Sequence, residues 1–392
     1  MNATAIIILG VLAGLGPFAV EFYLTAQNHL VEQFHTSPNL VSLNVGVFFI
    51  GMAVGQFFGG PLSDVNGRRP LALMSLFLFT AASVMACFTT TIYTFLFLRG
   101  IQALGAGIVA VLAYAIVSDQ CNETNTAKFI SMVTFVAIFI RVLSPIAGSH
   151  VTAGYGWQAP LLIMALIGLL TFIYLFYYQP ETYPAELRSK FSFDSVFRDY
   201  SKLLVEVRSR TFIGFEVLSS ISLFAYVSTA PLIFMNTYDL DVIDLGYVYA
   251  GTTSILMISA YANIHIVAKM GVSRILKITI SSMFCISVIL IVILIFHQPG
   301  LPLFVFLICT YMVPMMMTRL NATAAAIKCF PSIAGTTAAL ISVIGFAFGG
   351  LVSLLSSYLY VQFEFGLIFI LFATAALNLL LYLRYRSDLY SF

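Results

Sequence analysis

The chain is built from apolar runs too long to belong in a soluble core. Crossing a bilayer as a helix takes about 20 mostly apolar residues. Twelve such runs follow one another here, separated by short polar breaks: spans 1 to 12 over residues 3–27, 39–61, 71–88, 92–117, 128–152, 157–178, 211–236, 245–267, 275–296, 301–327, 333–360 and 366–383. In hydrocarbon every backbone N–H and C=O must be bonded within the protein, which leaves helices or a closed barrel. The runs are continuous rather than alternating with period two, so a barrel is excluded. With 60% apolar and 9% charged residues, the expected fold class is an all-α, multi-pass membrane protein embedded in the lipid bilayer.

The long hydrophilic stretch 179–210 divides these runs six and six. The expected organisation is an N-terminal six-helix bundle over 1–178, a cytoplasmic linker over 179–210 and a C-terminal six-helix bundle over 211–392. Within the linker, Phe193 to Val207 is patterned as an amphipathic helix lying on the membrane. Of the 18 Lys and Arg residues, 15 lie in or at the edge of connections 2–3, 4–5, 6–7, 8–9 and 10–11 or in the C-terminal tail, with Lys128 and Lys277 standing at the first and third positions of spans 5 and 9. Positive charge stays on the cytoplasmic side, so both termini are expected there. Asp239, Asp241 and Asp244 in connection 7–8 suit the opposite face. The N-terminus enters an apolar run without a charged lead or a cleavage motif, and reads as a retained first helix. The five cysteines form no C-x-x-C pair, and the chain carries no nucleotide-binding loop and no hydrolase elbow. No metal, no cofactor, no enzymatic activity and no nucleic-acid partner is expected.

Certain polar stretches stand out. Between spans 2 and 3 lies Gly60-Pro61-Leu62-Ser63-Asp64-Val65-Asn66-Gly67-Arg68-Arg69-Pro70, a charged turn placed to clasp a neighbouring helix end. Its glycines, Gly60 and Gly67, allow a sharp turn and close approach. A faint echo, Gly271-Val272-Ser273-Arg274, follows span 8, and half-chain repeats are how many secondary transporters are built. Span 4 holds Leu98-Arg99-Gly100-Ile101-Gln102-Ala103-Leu104-Gly105-Ala106-Gly107. Span 5 holds Ser144-Pro145-Ile146-Ala147-Gly148, and span 7 holds Phe224-Ala225-Tyr226-Val227-Ser228-Thr229-Ala230-Pro231.

Together these stretches resemble the major facilitator superfamily, and within it the Bcr/CflA type of drug–proton antiporter. The turn is similar to the superfamily's G-x-L-x-D-x-x-G-R-R/K pattern. Span 4 is similar to R-x-x-Q-x-x-G, and Pro145 with Gly148 to the antiporter pattern P-x-x-G-G. The sequence departs from that type in three places. Its usual Asp-Met-Tyr-Leu-Pro run is Glu21-Phe22-Tyr23-Leu24-Thr25, the motif's second glycine is Ser149, and Arg141 stands four residues before Pro145. The resemblance implies two six-helix bundles around a central cavity, a monomer, a bacterial inner membrane and proton-coupled export by alternating access. It also implies that Asp64, Arg68 and Arg69 gate the cytoplasmic side, with the arginines pairing to acids such as Asp119 or Glu123.

Five acidic or basic residues lie at least five residues inside the spans: Glu21, Arg99, Arg141, Glu216 and Arg319. Placing a charge at the middle of a membrane helix costs a few kcal/mol, so such groups persist mainly where they line a cavity or pair. Glu21 and Arg99, on cavity helices by the resemblance, are expected to form a proton-coupled pair. Arg141 lies about 20 Å into span 5. With Arg319 it offers guanidinium groups that bind carboxylates bidentately, and Arg141 also stands as a lock on Glu21. Tyr23, and equally Tyr114, Tyr226 and Tyr311, add rings able to stack on a bound molecule. Glu216 is expected to pair near the surface with Arg208 or Arg210. The reading is a proton-coupled exporter of an anionic or zwitterionic small molecule, such as a polycarboxylate or siderophore-like metabolite. The alternatives are a multidrug exporter of lipophilic cations, with Glu21 as counter-charge, and a non-transporting receptor on the same scaffold.

Overall fold

The structure is a computed structural model that describes residues 3–121, 123–188, 193–296, 299–330, 334–362 and 366–389. Among these residues all regular structure is helical. The helices are α1 (Ala3–Tyr23), α2 (Gln27–Gln33), α3 (Pro38–Asn66), α4 (Arg68–Ala86), α5 (Ile92–Gln120), α6 (Glu123–Tyr155), α7 (Gln158–Tyr178), α8 (Phe193–Val205), α9 (Val207–Asn236), α10 (Val242–Met270), α11 (Val272–Phe296), α12 (Leu301–Cys329), α13 (Ala334–Gln362) and α14 (Gly366–Leu389). Twelve of them, all but α2 and α8, are long and apolar enough to cross a membrane.

Side-chain caps set several helix starts. Ser37 accepts from the Leu40 N–H with Pro38 at the first helical position. Thr91 accepts from Thr94 and Glu206 from Ser209. Each satisfies a donor that the first turn leaves orphaned. One boundary differs materially from the sequence reading. Span 2 does not stop at Pro61: α3 continues to Asn66, so Gly60 lies inside a helix. The turn shrinks to Gly67, whose φ of +94° a side chain would strain. The later echo of the motif uses the same device, with Gly271 at φ +76°.

The chain divides into two compact units, Met1–Ser192 with Leu240–Ala250, and Phe193–Asp239 with Gly251–Phe392. In the first unit α5 packs on α3, α4 and α1, while α1 lies along α6. Lipid offers no hydrophobic drive between helices, so close backbone approach and polar contacts hold them. A Cβ at Gly51 of α3 would lie 2.6 Å from the Gly100 carbonyl, and one at Gly107 of α5 would lie 2.5 Å from the Met52 carbonyl. Residues 240–250 join this unit where Gly246 leaves room for Ser149 and the Pro145 carbonyl. In the second unit α9 packs against α12, α13 and α14. The helix α8 is seated on this unit through fully buried Leu203, which packs with Phe212 and Phe215. Burial there pushes the Tyr200 phenol above its ordinary value.

Candidate substrate and proton site

Glycines decide how α1 meets α6. A Cβ at Gly14 would sit 3.0 Å from the Ala137 Cα, and one at Gly148 would collide with the backbone of Phe22. Thus the motif glycine Gly148 brings α6 onto α1 beside Glu21. The result is an ion pair: Arg141 Nε donates to Glu21 Oε1 at 2.6 Å. The Glu21 side chain is 4% exposed and that of Arg141 28%. Glu21 Oε2 is buried without a partner. Among the described residues the arginine's two Nη groups meet no acceptor, so an unpaired carboxylate oxygen and a free donor fork belong to one ion pair.

Arg99 is not the partner of Glu21. It is 1% exposed and held by neutral groups. Its Nε donates to Asn44 Oδ1 at 2.8 Å and its Nη1 to Gln102 Oε1 at 2.5 Å, and the guanidinium stacks on Phe48 and Tyr23 at 4.4 and 4.9 Å. Gln102 passes the link to Ser83 of α4 at 2.6 Å. The span 4 motif is therefore a tie joining α1, α3, α4 and α5. The physical reason is rotation: the face of α5 that carries Arg99 turns toward α3, while Glu21 turns toward α6. Tyr23 is fully buried beneath Arg99, and its hydroxyl has no partner. The sequence carried a signal for this tie, since Gln102 stands one helical turn after Arg99.

The charged turn closes a network within the first unit. Arg68 pairs with Asp64 at 2.6 Å and with Asp119 at 3.0 Å, and also donates to Ser63 Oγ. The acid at the start of α4 is Glu181. It accepts from the backbone N–H of Arg68 at 2.9 Å and of Arg69 at 3.3 Å, where the macrodipole favours an anion. Asp64 sits at the end of α3, 43% exposed. Arg69 does not meet Asp119. It donates to the Phe176 carbonyl at 2.5 Å and so caps the end of α7. The side chain of Glu123 lies outside the described residues. Glu181 follows directly on span 6, a position from which an acid reaches the turn.

In the second unit the Glu216 side chain is buried within the protein, 3% exposed. It accepts from Arg319 Nε at 2.9 Å, not from Arg208 or Arg210. The ledger of charges held the clue: Glu21 and Glu216 are the two acids inside the twelve spans read from the sequence, set against three arginines.

These features define a helical transporter with twelve membrane crossings. A profile of the Major Facilitator Superfamily matches residues 6–354, and the chain belongs to that superfamily. It is thus a multi-pass membrane carrier of small molecules and not an enzyme. Over 380 residues it is 25% identical to the "Bicyclomycin resistance protein homolog" of Haemophilus influenzae, covering 96% of this chain and 94% of that one. It is 28% identical over 254 residues to "Multidrug resistance protein MdtL" of a Shewanella species, covering 63% and 61%. Both names accord with the Bcr-type resemblance of the motifs. The crystal structure of a D-xylose–proton symporter superposes with a TM-score of 0.79, covering 97% of this chain and 98% of that one at 19% identity, which shows the shared fold.

Proposed function

We propose that this protein is a proton-driven exporter in a bacterial inner membrane, and that its substrate is a small amphoteric molecule carrying a carboxylate and a cationic or donor group. The observation that carries this is the Glu21–Arg141 pair, with one carboxylate oxygen unpartnered and the guanidinium fork open. Antiport requires proton and substrate to exclude each other. A simple anion fails that requirement: protonating Glu21 frees Arg141, so proton and anion would bind together. A cationic or donor group on ionised Glu21 competes directly with the proton. The substrate carboxylate then takes the Arg141 fork, which stays charged at any working pH. The zwitterionic half of the sequence expectation is therefore favoured over the purely anionic half. Arg99, buried in its tie, has no part in this exchange.

The second reading is an exporter of lipophilic cations that uses Glu21 alone. It is favoured by the relatives' names, one of which prints multidrug resistance. Flux into proteoliposomes under an imposed pH gradient separates the two. The labelled probes are a zwitterionic amino-acid-like compound, a polycarboxylate and a lipophilic cation. Zwitterion flux that falls at least tenfold in both Glu21→Gln and Arg141→Ala is the expected result. Cation flux that needs Glu21 and ignores Arg141 establishes the second reading, and leaves Arg141 as a lock.

A further inference from the structure

The second unit repeats the chemistry of the Glu21–Arg141 pair on α9 and α12. Arg319 of α12 approaches Glu216 of α9 through Nε, the same edge that Arg141 presents to Glu21. The Glu216 side chain is 3% exposed and that of Arg319 27%. Glu216 Oε2, like Glu21 Oε2, is buried with no partner. A buried ion pair kept only for stability is favourable when its remaining lone pairs are bonded. Here one oxygen is fully satisfied, accepting from Arg319 and from Ser220 Oγ at 2.7 Å, and the other is left bare. The neighbouring helix withholds a side chain at that oxygen. A Cβ at Gly345 of α13 would stand 3.5 Å from Oε2. Among the described residues the charged group that meets Glu216 is Arg319. From its own helix comes Ser220, from α13 the bare backbone of Gly345, and from α14 Tyr382 packs into the core around Phe212 and Phe215.

We infer that Glu216 is a second proton-binding site, so that each unit of the transporter carries one protonatable carboxylate held by one partly exposed arginine. The inference rests on the proton-coupled reading above. A proton from solution adds to Oε2, and no other bond is made or broken except the hydrogen bond from Arg319 Nε, which weakens as the carboxylate loses its charge. A cationic or donor group of the substrate on ionised Glu216 competes with that proton, as at Glu21.

Infrared difference spectra of the full chain in lipid, stepped between alkaline and acidic pH, read this without any substrate. The signal is the carbonyl stretch of carboxyl groups that gain a proton. Glu216→Gln is expected to remove one component and Glu21→Gln a different one, with the double variant lacking both. An unchanged spectrum in Glu216→Gln means that Glu216 stays ionised as a static lock, and overturns the inference. Loss in Glu216→Gln with no loss in Glu21→Gln keeps it, and instead removes the role proposed for Glu21. Where Glu216→Gln does not fold, Arg319→Gln serves. Without its counter-charge Glu216 should remain protonated in the alkaline spectrum, and a titration identical to that of the unaltered protein overturns the inference.

Discussion

Among single residues, Arg99 separates a structural role from a coupling one most sharply. Its guanidinium is dry, bonded to Asn44 and Gln102 and covered by Phe48 and Tyr23. Removing it strands two buried amides and opens a void. Arg99→Met should therefore destabilise the fold by about 3 kcal/mol, as breaking a buried polar network does. Arg99→Lys should recover little, because an ammonium cannot divide its donors between Asn44 and Gln102 in that fixed geometry. Thermal unfolding in detergent checks this, and protein that survives should keep the pH profile of transport. Normal stability with lost proton coupling would return Arg99 to the role expected from the sequence. The identities of the five intramembrane charges were legible, because charge is conspicuous in a chain this apolar. Their pairing was not. Glu21 lies 120 residues from Arg141, and Glu216 lies 103 from Arg319. Which residues meet depends on the rotation of each helix about its axis, and in membrane helices the apolar pattern is nearly uniform around that axis.

At the scale of elements, the motifs prove to be contacts between helices. Gly148 is the point where α6 touches the Phe22 backbone, one residue from Glu21. Gly148→Leu should push α6 off α1 and separate Arg141 from Glu21. The expected result is a loss of gradient-driven flux at least as large as in Arg141→Ala, in protein that still inserts. Flux like that of the unaltered chain would show that the seam does not set the pair. The charged turn makes a second case. Glu181 bonds the first N–H groups of α4, and Gly67 leaves the space it occupies. Glu181→Gln weakens two charge-assisted bonds and the dipole contact, together about 1–3 kcal/mol. It should impair transport more than Asp64→Asn, since Asp64 is 43% exposed and holds only one of Arg68's acidic contacts. Flux measured on equal amounts of purified protein ranks the two. The turn itself was evident in the sequence from its two arginines and glycine. Its shortness was not, because Pro61 reads as a helix end while α3 carries it internally.

For the whole molecule, the number of crossings was legible because the bilayer fixes a minimum length of apolar helix, and each run meets it separately. How residues 240–250 would group was not legible, since that depends on Gly246 making room for a serine at a position where the motif has glycine. The orientation expected for the chain rests on an argument about charge alone. Fifteen Lys and Arg residues crowd into alternate connections, their edges or the C-terminal tail, and basic residues near span ends resist translocation. Single cysteines in a cysteine-free background put this to work. Asn66 beside the charged turn and Thr90 between α4 and α5 are both exposed, and they lie on either side of one crossing. Asp241 and Gly271, also exposed, flank α10 in the same way. In intact cells a membrane-impermeant maleimide should label Thr90→Cys and Asp241→Cys, and reach Asn66→Cys and Gly271→Cys only after permeabilisation. The reverse pattern would put the Arg68 network on the outer face and reverse the direction in which protons reach Glu21. Agreement in the first half with reversal in the second would break the even count of crossings between them, and with it the division of the chain into two six-helix halves.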